Sequence, residues 1–486
     1  MKKIDVGIII YDNSDFELAA SVARHGFNVA VYADSFETMT GDEQKKILDS
    51  SSSAGMELIY ELDAFLSALE IPRKIIMFSE SAGLSDRILD TVLFKLDAGD
   101  VISNFCNMNY IKAGHIVEEQ KKRGILYLPT GFPKGHIASD EGLAIMPGGY
   151  YEGYEILKGI FGEIAARDEN GFICAPYTGP AGSGQYIKMV VDGIEYAMME
   201  INIETVSLIR RFCDVDHDDM VDILSDLNST ESGSYFLEML SDIYSRYDNE
   251  TGKPMTEIVS DAVDYDAGAV WCCDEAMKLG MPFSVVYSSV EMRFLSLLKS
   301  ERISSSRLID DIEISPVPLS ERRSFIDRLR KGTYLAGLCA VAQCFALLRA
   351  ASDRYLWDLD LLAIARTMQV STYTRSRSLN RVIEAFDRNN KLLNLFADPY
   401  FGKCAASYIS YLREIVSLAN DNGIPVPAIS AALQYLDSYT ALRLDSGTIQ
   451  LAKDYLNNTG FERTDFSGRF HGNWTEHERN IDQNLI

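Results

Sequence analysis

One change of rhythm constrains this chain more than any other feature. Through the first 180 residues, short apolar runs of strand length alternate with amphipathic stretches; from about Gly182 to residue 445, helical periodicity runs almost unbroken, with little proline. Strand candidates are residues 5–10, 28–32, 74–78, 100–104, 125–127 and 143–146, with amphipathic helices such as 15–24 and 84–96 between them. Strands that are apolar throughout are buried on both faces, so this part reads as a parallel, doubly wound α/β sheet. The second part reads as all-α, with helices over 187–211, 216–224, 320–351 and 408–420 among others. No repeat of 20 to 50 residues is found, which argues against a helical solenoid. After Ser446 comes a polar tail, GFERTDFSGRFHGNWTEHERN, whose isolated aromatics suggest a segment that packs on another surface.

Charge narrows the function. With 46 basic and 71 acidic residues the net charge is 46 − 71 = −25. Such a field repels phosphate backbones, which excludes a general nucleic-acid binder, and any anionic ligand then needs a locally basic pocket. Eight cysteines without CxxC spacing and six dispersed histidines give neither a disulfide framework nor a metal site. The N-terminal apolar run, residues 6–11 between Asp5 and Asp12, is too short for a signal peptide's core. No stretch reads as membrane length, so a cytoplasmic protein with reduced thiols is expected.

A dinucleotide site would follow the first strand, where glycines let backbone N–H groups reach the pyrophosphate. Here only Gly7 stands in the expected pattern, and the turn carries Asp12, Asp15 and Glu17, which would cap the helix internally. Asp34, just after the second strand, sits where an acid pairs with the ribose 2′-hydroxyl of NAD and repels the 2′-phosphate of NADP; a solvated loop aspartate is the plainer alternative. In GQYIKMVVDGIEYAMMEINIE, helical spacing puts Lys188, Asp192 and Glu195 near one face, with Tyr196 adjoining. A lysine and a glutamate two turns apart can divide base and acid roles; a surface Lys–Asp–Glu ladder has the same spacing. MPGG at 146–149 reads as a turn before a helix, and Arg293 as an anion ligand or a structural ion-pair partner.

At this helix the sequence resembles the 6-phosphogluconate dehydrogenase family. The family's KMVxNGIEY appears as Lys188-Met189-Val190-Val191-Asp192-Gly193-Ile194-Glu195-Tyr196, and GDVISNFCNMNY around Asn107, MPGG, MKLGMPFSVVYSSVEMRFLSLLKSER, EAFDRNNKLLNL and the tail correspond as well. The resemblance runs the length of the chain. It implies a Rossmann-type NAD(P)-binding domain over 1–180, an all-helical domain over 181–445, and a tail over 446–486 that packs on the partner of a homodimer. In that family a lysine takes the proton of the substrate's 3-hydroxyl as hydride passes to NADP, and a glutamate protonates the enediol left after loss of carbon dioxide. Lys188 and Glu195 correspond to that base and acid. Asn107 and Tyr196 match substrate-side or nicotinamide-side positions, and Arg293 matches a phosphate ligand.

The departures fall on charged contacts. The glycine turn is acidic, the arginine that meets the NADP 2′-phosphate falls at Asp34, and the nicotinamide-side lysine is Ser81. The Ser-Gly-Gly that holds the substrate carboxylate becomes Pro133-Lys134-Gly135, with Lys134 as a replacement cation. The motif's histidine is Val191 and its asparagine Asp192, the phosphate-binding lysine of GTGKWT is Val270, and the crossing arginine and histidine of the tail fall at Lys453 and Thr459. Each lost charge-assisted hydrogen bond is worth ~1.5–3 kcal/mol, so losing two or three weakens binding by orders of magnitude. The expected function is therefore a divergent relative in which NADP-dependent oxidative decarboxylation of 6-phosphogluconate is lost or altered. A non-catalytic paralogue, homodimeric or paired with a true dehydrogenase, comes first. An NAD- or NADP-dependent oxidoreductase acting on a less anionic hydroxy acid comes second.

Overall fold

In the computed structural model, residues 4–10, 16–33, 55–78, 82–133, 142–309, 314–371 and 373–474 are described. They form two compact units, 1–433 and 434–486.

The first unit begins with a seven-stranded sheet of order β3-β2-β1-β4-β5-β6-β7. Its strands are β1 (Val6–Ile10), β2 (Val29–Ala33), β3 (Glu57–Ile59), β4 (Lys74–Met77), β5 (Val101–Asn104), β6 (Leu126–Gly131) and β7 (Met146–Pro147). All pairings are parallel except β6 with β7, which is antiparallel. Helices α1 (Phe16–Arg24), α2 (Leu62–Ala68), α3 (Ala82–Lys95) and α4 (Tyr110–Arg123) lie between the strands, and α5 (Tyr151–Ile164) follows β7. The alternation of β1 shows why they must cover both faces: Val6, Ile8 and Ile10 enter one core cluster and Ile9 the other. Gly7 lies inside β1, where a Cβ would stand 2.6 Å from Phe65 and 2.7 Å from Leu69. Its lack of a side chain lets α2 lie close on the strand.

The strand expected over 143–146 is shorter, with only Met146 and Pro147 in the sheet and Leu143 in an isolated bridge to Ala165. The edge strand β3 was not expected, since its three residues are at most half-buried and carry no apolar run.

The helical part is organised around α6 (Ser183–Cys213), followed by α7 (His217–Asn228), α8 (Tyr235–Tyr244), α9 (Ala267–Lys278), α10 (Ser284–Leu297), α11 (Leu319–Tyr355), α12 (Leu361–Val370), α13 (Arg377–Arg388), α14 (Pro399–Asp421) and α15 (Pro427–Tyr439), with shorter helices between. Helix α6 packs on β6, α9, α10 and α11, and α11 packs on α14. The interior of α11 is uncharged from Gly332 to Leu348 and is long and apolar enough to cross a membrane. That corrects the expectation that no stretch has membrane length: here the stretch is a buried core helix.

Glu204 on α6 is buried, and its two carboxylate oxygens accept the N–H groups of Ala428 (2.8 Å) and Ile429 (2.9 Å), capping α15. Burial pushes its pKa up to about 8, against the pull of those two donors. A carboxyl raised in the folded state contributes stability that is present at acid pH and lost as pH rises through that value. Glu204→Ala is therefore expected to lower stability by about 2–4 kcal/mol at pH 6, from the two stranded donors. The deficit should shrink by pH 9, as chemical denaturation at the two pH values will show.

The second unit contains α16 (Gly447–Asn457) and a two-stranded antiparallel hairpin, β8 (Phe461–Glu462) with β9 (Arg469–Phe470). Its organising residue is Asp454, 1 % exposed. The carboxylate accepts from Gly460 N–H (2.7 Å), His471 Nδ1 (2.8 Å), Gly472 N–H (2.7 Å) and Trp474 Nε1 (2.9 Å). Arg463 lies over the rings of Phe466 and Phe470, and Lys453 is exposed on α16.

Candidate active site

The sheet order reverses direction between β1 and β4, so the crevice beyond the strand ends opens there. The acidic turn 11–15 and Asp34 lie outside the described residues, as do Ser81, Lys134 and Gly135; α1 includes Glu17, of whose side chain nothing is described. What is described at the strand ends is a cluster of rings, with Phe78 4.5 Å from Phe105 and Phe132 5.6 Å from Phe105. Asn107 is half-buried in the loop between β5 and α4. Phe78 and Phe105 are buried members of the core, and Phe132 packs against them.

The first turns of α6 cross the end of β6 with almost no clearance. A Cβ on Gly184 would collide with the carbonyls of Met146 and Pro129, and one on Gly131 would stand 3.1 Å from Lys188 Cβ. The glycines of β6 and of the MPGG turn thus let α6 lie directly on the sheet edge, which buries every residue from Ser183 to Ile194. Gln185, 2 % exposed, fixes the register: its Nε2 donates to Cys106 O (3.0 Å) and Thr130 O (2.9 Å), while its Oε1 accepts Met108 N–H (3.2 Å). The loop carrying Asn107 is therefore clamped on both sides, one turn before Lys188. Sequence reasoning missed Gln185, although its i−3 spacing from Lys188 puts it on the same face.

Lys188 and Asp192 are each 7 % exposed, and Lys188 Nζ donates to Asp192 Oδ2 at 2.7 Å. Their burial removes the surface-ladder alternative. A Cβ on Gly268 would collide with Asp192 Oδ2, so the start of α9 closes directly on this pair. Burial alone pulls the lysine's pKa down. The Asp192 carboxylate, with Glu195 and Asp266 behind it, more than offsets that and holds Lys188 above its ordinary value. Glu195 is half-buried on the next turn. Tyr196 is 8 % exposed and its hydroxyl accepts the Asp266 N–H.

Beyond Tyr196 the same face reaches a second ion pair. Arg293 on α10 stacks over the Tyr196 ring at 5.4 Å and donates through Nη1 to Glu200 Oε2 at 2.9 Å. Burial raises the Glu200 pKa and Arg293 opposes that rise. Of the cations expected at the site, Lys188 and Arg293 are thus matched to carboxylates of α6. Among the described residues, Lys188 and Arg293 stand with four carboxyl groups, Asp192, Glu195, Glu200 and Asp266. The structure brings Asn107, Lys188, Asp192, Glu195, Tyr196 and Arg293 onto or beside α6 in the first unit, while Lys453 belongs to the second. The eight cysteines are free thiols, seven of them buried.

A doubly wound parallel sheet whose carboxyl edge is crossed by a long helix bearing Lys188 and Glu195 is the architecture of a two-domain dehydrogenase. Residues 16–179 match the family model described as the NAD binding domain of 6-phosphogluconate dehydrogenase, and residues 184–474 match that of the 6-phosphogluconate dehydrogenase C-terminal domain. The chain belongs to the 6-phosphogluconate dehydrogenase family. It is 33% identical over 474 residues to the NADP(+)-dependent, decarboxylating 6-phosphogluconate dehydrogenase of Bacillus subtilis, covering 98% of this chain and 100% of that one. It is 31% identical over 476 residues to the decarboxylating enzyme of Klebsiella pneumoniae, covering 98% and 100%. Among solved structures, Plasmodium falciparum 6-phosphogluconate dehydrogenase, described apo, with its cofactor NADP+ and with its substrate 6-phosphogluconate, superposes with a TM-score of 0.89 at 26% identity over 97% of this chain and 100% of that one.

Proposed function

We propose that this chain is a divergent 6-phosphogluconate dehydrogenase-family protein in which NADP-dependent oxidative decarboxylation of 6-phosphogluconate is lost or altered. Its first role is as a non-catalytic, cytoplasmic, dimeric scaffold. The observation that carries this reading is the buried Lys188–Asp192 pair. A general base must be neutral when it takes a proton, and even an ordinary lysine near 10.4 is neutral in only about one molecule in 2,500 at pH 7. Asp192 moves Lys188 further from that state. Arg293, committed to Glu200, is a poor partner for a phosphate dianion. For the dimer, the support is a set of exposed apolar side chains on the helical part, among them Val259, Tyr265, Phe294, Leu298, Leu308 and Ile309. A group of that kind marks an interaction surface, and a second copy or a true dehydrogenase of the same fold would cover it.

An NAD- or NADP-dependent oxidoreductase acting on a less anionic hydroxy acid is the second reading, with Lys188 as base and Glu195 as acid. It is favoured by the retention of both on α6 beside the clamped Asn107 loop. The dinucleotide would supply the hydride acceptor. Asn107 would orient the substrate, Asp34 would belong to the cofactor side, and Lys134, Gly135 and Lys453 to the substrate's anionic ends; Gly7, expected on the cofactor side, is instead a packing glycine inside β1.

Calorimetric titration with NADP, NADPH, NAD and NADH, with and without magnesium, separates the two. The non-catalytic reading expects no heat from any of the four. Micromolar binding of one form would overturn it and start a substrate screen. The control for that screen is the Lys188→Met, Asp192→Asn double variant, which removes both buried charges together.

A further inference from the structure

The Arg293–Glu200 pair governs which ligands this pocket can take. A guanidinium binds a phosphate through paired N–H groups at one edge of a rigid fork. In Arg293 the Nη1 side of that fork is already engaged by Glu200, Nη2 lies 3.9 Å from Met199 Sδ, and the flat face lies over Tyr196. The two partners are not equally placed. Arg293 is 15 % exposed at the side chain and Glu200 only 5 %, so the carboxylate sits inward and the cation toward solvent.

We propose that Glu200 is the specificity-determining residue of this pocket: by holding the Arg293 guanidinium it makes the site take a sugar acid without a phosphate at least as well as one with it. A phosphomonoester meets in Arg293 a guanidinium already neutralised by Glu200, and can take its Nη1 edge only by drawing it off that carboxylate. That strands a buried carboxylate, since no other cation lies within hydrogen-bond reach of Glu200 among the described residues. Breaking one partner out of a buried pair carries a penalty on the order of 100- to 1,000-fold in affinity. The neighbouring carboxylates Asp192, Glu195 and Asp266 add to it, because they repel a phosphate dianion more than a neutral hydroxymethyl group. The proposal concerns the same pocket as the function proposed above and refines it. It concerns binding alone, and stands or falls whether or not the protein turns anything over.

The test is direct binding of 6-phosphogluconate and of gluconate to the full chain, by calorimetry and by ligand line broadening up to tens of millimolar. The wild type is expected to bind the two within about threefold of each other. Glu200→Gln keeps the shape of the side chain and removes its charge. It should tighten 6-phosphogluconate by about 10- to 100-fold with gluconate changed less than about threefold, and adding Arg293→Ala should abolish the gain. A wild type that already prefers 6-phosphogluconate by about tenfold or more overturns the proposal. So does a Glu200→Gln protein with an unchanged ratio, including no measurable binding of either ligand, or a gain that survives loss of Arg293. Should Glu200→Gln fail to fold, Arg293→Ala alone decides. Unchanged 6-phosphogluconate affinity agrees with a guanidinium already spoken for, and a loss of about tenfold or more overturns it. Dinucleotide titrations play no part in these readouts, so failure here is distinguishable from failure of the non-catalytic reading.

Discussion

Replacing Asp192 by asparagine is expected to lower the Lys188 pKa. The substitution leaves burial in place and removes the nearest opposing charge, so desolvation, the largest influence on this lysine, is then opposed only by Glu195 and Asp266. Asparagine occupies the same space against Gly268, so packing is preserved. The stability profile should change in form as well. In the wild type the lysine's raised pKa contributes stability that is complete below about 10.4 and lost only as pH rises through the folded value. In Asp192→Asn that contribution should shrink, and with it the loss of stability at high pH. At neutral pH the variant should be weaker by about 3 kcal/mol, the order of cost of leaving one partner of a buried ion pair without the other. Reductive 13C-methylation followed by NMR titration reads the pKa, and denaturation at pH 7 and 10 reads the stability. A Lys188 pKa that moves by less than about half a unit would show that Asp192 does not hold the proton, and the non-catalytic reading would lose its main support.

Removing the Asp454 carboxylate is expected to release the second unit while leaving the first intact. Four donors converge on this one side chain from the loop before β8, from His471, and from the last turn around Trp474. Little else is buried there: among the residues of α16, β8 and β9 only Asp454 itself is fully buried. Asp454→Ala should therefore move Trp474 fluorescence to the red and speed proteolysis within residues 446–474 by about tenfold or more, without lowering the main melting transition. The hydrogen bonds, led by that from Gly472 N–H, hold the Asp454 pKa well below the usual carboxylate range. A depressed acid contributes stability that is present above about pH 3.9 and lost as pH falls through its folded value. The wild-type tail should thus resist proteolysis evenly from pH 8 to 5 and open only in strong acid. Unchanged cleavage of Asp454→Ala would mean that the hairpin folds without its anchor.

The strands and long helices were legible because the parallel sheet is buried on both faces and the helices keep their period over many turns. β3 escaped because its three residues are short of an apolar run and partly exposed. The start of α6 lies four residues before the expected one, because Ser183 and Gly184 turn inward on the sheet edge rather than forming a loop. At the site, the pattern placed Lys188, Asp192, Glu195 and Tyr196 together. It could not decide their burial, since an i,i+4 charge pair has the same spacing on a wet face as on a dry one. What decided it were Gly131, Gly184 and Gly268, whose meaning depends on elements brought in from elsewhere in the chain. Glu200 continues the same face one turn past Tyr196, and only the approach of α10 shows that it meets Arg293.

Helix α11 has a consequence for the life of the chain before it is folded. Its uncharged interior, Gly332 to Leu348, needs both α6 and α14 to leave water. Helix α6 has been synthesised by then, but α14 begins at Pro399, 399 − 348 = 51 residues further on. At about 5–20 residues per second, one side of a span apolar enough for a bilayer stays bare on the ribosome for roughly 3 to 10 seconds. In that interval the nascent chain presents what a chaperone or an insertion machinery reads as its own substrate. Production of this protein in a foreign host is therefore expected to be sensitive to how fast synthesis passes residues 348 to 399, and a slow codon placed there should lower the soluble fraction.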